Sequence, residues 1–87
     1  MVSKLTKVTN EMGFHMRPAN VFVTVMTKYT SNINIIVGDK KINGKSIMNI
    51  MAACIKCGTE ITVECDGADE QAMLDEAIAL IESGFGE

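Results

Sequence analysis

Apolar residues recur at the spacing of one helix face in three segments of the chain. The first segment covers residues 17–28, and the second follows Ser46, a suitable N-cap, and can be ended by Gly58. The third begins with acidic residues at 69–70 and ends at Gly84. The apolar positions are Ala19, Phe22, Val23 and Met26 in the first, Ile47, Ile50, Met51 and Cys54 in the second, and Leu74, Ala77, Ile78 and Ile81 in the third. The pattern predicts three helices, each with one apolar face.

Four other segments have the character of β-strands. Residues 60–65 read Glu-Ile-Thr-Val-Glu-Cys, in strict polar and apolar alternation. Residues 33–37 and 40–43 flank the turn sequence Gly-Asp, which predicts a hairpin. Residues 2–8 contain β-compatible side chains without clean alternation, and we assign them to a strand because a turn follows them.

These elements give the order βαββαβα within one domain, residues 1–87. Three one-sided helices and a sheet with one polar face imply two layers. We therefore predict an α+β open-faced sandwich, with three helices packed on one side of a four-stranded, mostly antiparallel sheet. A chain of this size buries about 60% of its unfolded surface, and we expect a folded monomer.

The composition narrows the classes of partner. Hydrophobic residues make up 47% of the chain and charged residues 22%, as in an ordinary globular protein. A net charge of -3 argues against direct nucleic-acid binding, which needs clustered Lys and Arg. No apolar run approaches the roughly 20 residues of a membrane span, so we expect no membrane insertion and a cytoplasmic location. Three cysteines are too few for a disulfide framework, and reduced thiols are expected.

The stretch Gly13 to Asn20, GFHMRPAN, contains the single histidine and the single proline of the chain. A histidine before a helix is ordinarily a cap or a surface residue. Here the N–H groups of the helix start and the charge of Arg17 favour an anion beside His15, whose neutral imidazole can act as a nucleophile. The sequence has no metal-ligand cluster, no second catalytic base nearby and no Walker glycine pattern. It predicts a transient carrier that is not itself an enzyme and needs no metal or other cofactor.

Two motifs resemble those of one family, the histidine-containing phosphocarriers (HPr) of the bacterial phosphoenolpyruvate-dependent sugar phosphotransferase system. Residues 13–19, Gly-Phe-His-Met-Arg-Pro-Ala, resemble its active-site signature Gly-Leu-His-Ala-Arg-Pro-Ala, and Lys45-Ser46-Ile47-Met48 with Met51 resembles its regulatory segment. The likeness covers essentially the whole chain, and the predicted element order agrees with the fold of the family.

The resemblance implies a role for the residues around the histidine. His15 would accept a phosphoryl group on Nδ1 from phosphorylated enzyme I and pass it to a sugar-specific IIA protein or domain. Arg17 would steady the phosphoryl group. The phosphohistidine would thus be an intermediate of sugar transport.

Ser46 reads from the residues alone as the N-cap of the second helix. The form Lys45-Ser46-Ile47-Met48 is similar to HPr proteins of Gram-positive bacteria, which implies phosphorylation of Ser46 by an ATP-dependent HPr kinase/phosphorylase. The resemblance also implies that phosphoserine favours binding to the catabolite control transcription factor, and so catabolite repression. We expect the added charge to weaken transfer from enzyme I.

The second helix is too short to bury all of its apolar side chains, and adaptable methionines are common on surfaces that serve several partners. We therefore predict a docking patch beside His15, formed by Met16, Asn20, Ile47, Met48 and Met51. Met16, Asn20 and Asn49 differ from the residues that are common in the family at these positions, which bears on partner affinity.

Two other functions compete with the carrier. Cys54-Ile55-Lys56-Cys57 is a C-x-x-C motif, which could belong to a small redox or metal-binding domain. In such domains the pair opens the first helix, whereas here it is expected to close the second. A purely regulatory protein without phosphotransfer, like the HPr paralogue that lacks the active-site histidine, is the other alternative. The presence of His15 counts against it.

Overall fold

The structure, a computed structural model, describes residues 1–86 and has the predicted element order. A short 3-10 turn at Gly84–Gly86 follows the last helix and was absent from the sequence prediction. The elements are β1 (Val2–Lys7), α1 (Met16–Met26), β2 (Asn32–Val37), β3 (Lys40–Asn43), α2 (Ile47–Ala52), β4 (Glu60–Asp66) and α3 (Glu70–Glu82).

The strands form one sheet in the order β1-β4-β2-β3, and every neighbouring pair is antiparallel. The alternation of β4 has the predicted consequence, since Ile61, Val63 and Cys65 are buried while the residues between them are more accessible. Val63 lies opposite Ile35 of β2, which is also fully buried. The three helices cover the face of the sheet to which these side chains point, so the α+β open-faced sandwich is confirmed.

The core between the layers is mainly aliphatic, with one aromatic cluster at the end that carries the start of α1. Phe22 of α1 packs edge-on against Phe14, with ring centroids 5.5 Å apart, and Phe85 completes the cluster at 4.6 Å from Phe14. Because Phe14 precedes His15 in the chain, the cluster anchors the histidine segment to the core. No helix among residues 1–86 is long and apolar enough to cross a membrane.

The second helix is shorter than predicted. It ends at Ala52, and Cys54 adopts a left-handed conformation with φ of 54°. A left-handed residue just past a helix is a common way of ending it. Cys54 is therefore exposed in the following turn, so the prediction that Cys54 extends the apolar stripe and that Gly58 ends the helix is wrong. Cys57 lies farther along this loop and does not close the helix.

Asp69, the residue before α3, links that helix to the segment before β2. Its carboxylate accepts hydrogen bonds from the N–H of Thr30 at 3.0 Å, from the N–H of Ser31 at 2.9 Å, and from the Ser31 hydroxyl. These bonds favour the ionised carboxylate and lower the pKa of Asp69 from 3.8 to about 2, the Ser31 hydroxyl having the largest effect. The ionised form therefore stabilises the fold.

Acid should remove the stabilisation that the ionised Asp69 carboxylate gives to the fold. The folded pKa of Asp69 is depressed, so its stabilisation is complete above the unfolded pKa and is lost as the pH falls through the folded value near 2. We expect Asp69→Asn to be less stable than wild type at neutral pH, with the difference shrinking from about pH 4 to about pH 2. Urea unfolding of both proteins across this range measures it, and a difference independent of pH would contradict the assignment.

Candidate functional site

His15 is the N-cap residue of α1. Its backbone is extended, its N–H donates to the Gly13 carbonyl at 3.0 Å, and its own carbonyl accepts the N–H of Ala19 at 3.0 Å. The imidazole makes no capping hydrogen bond to the helix and is half-buried. The side chain of His15 therefore does not act as an ordinary helix cap.

The loop before His15 is held against the turn that follows α2. The N–H of Phe14 donates to the Ile55 carbonyl at 2.9 Å, and Asn10 Nδ2 donates to the Gly13 carbonyl at 2.6 Å. Gly13 has φ of 67°, and a Cβ added there would overlap the Ile55 carbonyl oxygen and lie 2.7 Å from the Cα of Lys56. Glycine is thus required both by conformation and by space, and the close approach fixes where His15 emerges.

The first turn of α1 offers polar groups to an anion. The N–H groups of Met16 and Arg17 have no acceptor within the helix, and Pro18 has no N–H to satisfy. The Arg17 side chain is exposed, whereas Pro18 is buried against the core. A helix start favours negative charge by about 0.3–1 kcal/mol, and an exposed arginine contact adds a similarly modest amount. The arrangement suits an anion that is held briefly and released.

Ser46 is the N-cap of α2, as predicted. Its Oγ accepts the N–H of Asn49 at 3.3 Å and its carbonyl accepts the N–H of Ile50 at 3.1 Å. The preceding Lys45 donates from Nζ to the Tyr29 carbonyl at 2.8 Å, which ties the start of α2 to the segment after α1. Ser46 is half-buried and directly precedes the exposed residues of α2.

The helix α2 buries only one of its large apolar side chains. Ile50 is fully buried, Ile47 and Met51 are half-buried, and Met48 is 82% exposed. On α1, which packs against α2, Met16 is 64% exposed and Asn20 is also exposed. The expected exposure of apolar side chains on α2 is therefore confirmed, while their docking role stays a prediction.

Sequence reasoning missed a segregation of charge along the chain. All eight lysine and arginine residues lie at or before Lys56, whereas nine of the eleven acidic residues lie at or after Glu60. In the structure, Lys40 and Lys41 line a shallow cleft with residues of α2. Four of the basic residues, Arg17, Lys40, Lys41 and Lys45, lie on α1, on β3 or just before α2, whereas Lys4 and Lys7 lie on β1, which pairs with the acidic strand β4. Counting charges by segment would have found this.

Cys54, Cys57 and Cys65 form no disulfide within residues 1–86. Cys65 lies in the core, and burial raises the pKa of its thiol to about 11. Cys54 and Cys57 are exposed, and their Sγ atoms lie 3.8 Å from the Met51 carbonyl and 3.7 Å from the Thr9 carbonyl. Across residues 1–86, no three His, Cys, Asp or Glu side chains are grouped so that they could hold a metal ion. The C-x-x-C pair has no third ligand within that range.

Comparison with known proteins gives a consistent result. The family model described as "PTS HPr component phosphorylation site" matches residues 2–83. The phosphocarrier protein HPr of Mycoplasma capricolum is 46% identical in an alignment of 79 residues that covers 82% of this chain and 89% of that protein. The HPr-like protein Crh of Halalkalibacterium halodurans is 42% identical over 82 residues, 94% of this chain and 98% of Crh. The likeness therefore extends far beyond the histidine segment.

Solved structures agree with the sequence comparison. The crystal structure of HPr from Thermoanaerobacter tengcongensis has a TM-score of 0.96 at 37% identity, and covers 100% of this chain and 98% of that one. HPr of the same organism has also been solved as a dimer, with a TM-score of 0.79 at 37% identity and full coverage of both chains. The fold and the chain length are shared with these proteins.

Proposed function

This chain belongs to the HPr family of phosphocarrier proteins of the phosphotransferase system, and from that premise we propose which residues carry, steady and regulate the phosphoryl group. A member of this family is a cytoplasmic carrier with a transient phosphohistidine and is not itself an enzyme. Its partners are enzyme I, which supplies the phosphoryl group, and IIA proteins or domains, which receive it.

His15 is the proposed acceptor, on Nδ1. One observation carries the assignment: the single histidine of the chain stands at the N-terminus of α1. In the transfer from enzyme I, a bond forms between the imidazole nitrogen and phosphorus as the bond between phosphorus and the donor breaks. The same bond breaks when a IIA protein accepts the group.

Arg17 is proposed to steady the phosphoryl group. Its guanidinium is exposed in the first turn of α1, two residues after His15. The N–H groups of that turn would add to the stabilisation. Each contribution is small, about 1 kcal/mol or less. A carrier benefits from weak holding, because a tightly stabilised phosphohistidine would not pass its group on.

Loading by phosphorylated enzyme I tests this assignment. The wild-type chain should gain one phosphoryl group from phosphoenolpyruvate and catalytic enzyme I, and should lose it again when a IIA protein is added. His15→Ala should gain none. A loaded chain that did not pass its group to the cognate IIA protein would count against a carrier role.

The proposed docking patch for enzyme I and IIA proteins consists of Met16, Asn20, Ile47, Met48 and Met51, all of them exposed or half-buried. Two of them, Met16 and Met48, present the most exposed apolar surface on α1 and α2. The basic residues near this patch, Arg17 on α1, Lys45 just before α2, and Lys40 and Lys41 beside α2, favour partners whose surfaces are apolar at the centre and acidic at the rim.

Ser46 is the proposed regulatory residue, modified by an HPr kinase/phosphorylase and, once phosphorylated, recognised by the catabolite control transcription factor. Its position supports this, since it directly precedes the α2 residues of the docking patch. A phosphoserine brings about -1.5 to -2 charges to a region rich in basic residues. It would therefore change the electrostatic match that favours enzyme I.

Ser46→Asp should be loaded more slowly by enzyme I than Ser46→Asn. Aspartate and asparagine cap a helix equally well, so the comparison separates charge from stability. Because an unfavourable charge at a docking surface opposes binding, we expect kcat/KM for loading of Ser46→Asp to be about tenfold lower than that of Ser46→Asn. Steady-state loading kinetics at low ionic strength measure it. Equal values for the two variants would show that negative charge at Ser46 does not control docking.

The carrier is proposed to work as a single domain of residues 1–87 and as a monomer, although one relative also forms a dimer. It is proposed to act without direct nucleic-acid binding, membrane insertion or a cofactor. The C-x-x-C function remains a weaker candidate, since Cys54 and Cys57 lie in a turn and no third ligand accompanies them within residues 1–86.

A further inference from the structure

Methionines make up nearly all of the large apolar surface that the fold leaves accessible. Five large apolar side chains are exposed in the described residues, and four of them are methionines. These are Met1, Met12, Met16 and Met48. Met26 and Met73, in contrast, are completely buried in the core. Met51, the seventh methionine, is half-buried, so the methionines range from almost fully exposed to completely buried.

We propose that Met16 and Met48 are sites of reversible oxidation, and that conversion of their thioethers to sulfoxides weakens docking of the carrier to enzyme I. The proposal rests on the proposed function, because it assumes that docking uses the surface beside His15. It adds a modification and a regulation that act on that surface without touching the phosphoryl acceptor itself.

The chemistry needs only a peroxide as oxidant. A lone pair on the thioether sulfur attacks one oxygen of hydrogen peroxide, and an S–O bond forms as the O–O bond breaks. The proton on the attacked oxygen passes to the departing oxygen, which leaves as water. The sulfur is oxidised by two electrons and the peroxide is reduced. Methionine sulfoxide reductases, one for each sulfoxide epimer, return the thioether with electrons from a thiol.

Exposure selects which methionines react. Met16 is 64% exposed and Met48 82%, so both residues are open to a small oxidant in solution. Met16 directly follows the proposed phosphoryl acceptor, and Met48 lies on the neighbouring helix α2. Oxidation converts a flexible apolar side chain into a polar one. A sulfoxide buried against an apolar partner surface would have to lose its hydration without a compensating hydrogen bond, which opposes binding.

The experiment compares loading before and after peroxide treatment. The protein is treated with hydrogen peroxide, freed of peroxide, and reduced with dithiothreitol, which returns disulfides and sulfenic acids of Cys54 and Cys57 to thiols but leaves sulfoxides. Mass mapping also checks that neither cysteine has reached the sulfinic acid. Peptide mass mapping should find sulfoxide at Met16 and Met48 before Met26 and Met73. Loading from enzyme I should then fall about tenfold in kcat/KM, mainly through KM, and methionine sulfoxide reductases should restore it.

Two variants assign the effect, each compared with its own rate before oxidation. Met16→Leu/Met48→Leu removes both proposed sites and should keep most of its rate after peroxide. Met12→Leu removes a comparably exposed methionine, 69% exposed, from outside the proposed docking patch. It should lose as much activity as wild type.

Four results would overturn the proposal. The first is an unchanged kcat/KM for loading in a protein that carries sulfoxide at Met16 and Met48, and the second is recovery of kcat/KM by dithiothreitol alone. The third is an equally large loss of kcat/KM in the double leucine variant after peroxide, and the fourth is oxidation of the core methionines before Met16 and Met48. Failure of the proposed function looks different, because an untreated wild-type protein would then not be loaded by enzyme I at all.

Discussion

His15→Ala should abolish acceptance of phosphoryl groups from enzyme I. The substitution removes the only imidazole in the chain, so no other side chain can form the phosphohistidine, and the expected loss is complete. Loading with phosphoenolpyruvate and catalytic enzyme I, followed by intact mass at neutral pH, measures it.

The fold of His15→Ala is checked by circular dichroism and urea unfolding. The core residues that anchor the segment, Phe14 and Phe22 among them, are unchanged in this variant, so a folded protein that cannot be loaded is the expected combination. Acid treatment adds a chemical check, because a phosphohistidine is acid-labile and a phosphoserine is not. An acid-labile phosphoryl group on folded His15→Ala would contradict the assignment.

Gly13→Ala should destabilise the protein far more than Gly38→Ala. Both glycines have nearly the same left-handed backbone, with φ of 67° and 62°, so the conformational strain of alanine, about 1–2 kcal/mol, is common to both variants. At Gly38 nothing lies within 4 Å of the added Cβ, whereas at Gly13 it overlaps backbone atoms of Ile55 and Lys56. Relief of that overlap requires movement of the backbone.

We expect the total cost at Gly13 to reach about 3 kcal/mol or more, with slower loading by enzyme I because the loop that precedes His15 is displaced. Urea unfolding of the two variants and the wild type gives the stabilities, and loading kinetics give the effect on the site. Equal destabilisation by the two substitutions would show that the contact between this loop and the turn after α2 is not tight.

The elements that the sequence predicts well are those in which local pattern and tertiary burial agree. In β4 the strict alternation of residues 60–65 allows one buried face, and Ile61, Val63 and Cys65 form it. In α1 the predicted stripe is buried at Ala19, Phe22 and Met26. Hydrophobic periodicity of this kind depends only on neighbours in the sequence, so it can be read without coordinates.

The end of α2 could not be predicted in the same way. The local signal favoured Gly58 as the helix stop, but Ile55 is buried and its carbonyl accepts the N–H of Phe14. Meeting that contact requires the chain to leave the helix early, with Cys54 in the left-handed region. A long-range contact outweighs local preference here, and the sequence contains no local sign of it.

The candidate site likewise has some features that local sequence predicts and others that depend on long-range contacts. His15, Arg17 and Pro18 are adjacent in sequence, so their place at the start of a helix follows from capping and proline rules. The hydrogen bond from Phe14 to Ile55 and the packing of Phe85 on Phe14 join segments that are distant in sequence. These contacts hold the site in position, and the structure is needed to find them.

The most direct test of the carrier function is to locate the phosphoryl group on the wild-type chain. The protein is loaded from phosphoenolpyruvate by catalytic enzyme I, fragmented at neutral pH, and mapped by mass spectrometry before and after brief acid treatment. One acid-labile phosphoryl group on the fragment that contains His15 is the predicted result. A chain that cognate enzyme I leaves unmodified, or modifies only at an acid-stable position, would contradict the phosphohistidine on which the proposed mechanism depends.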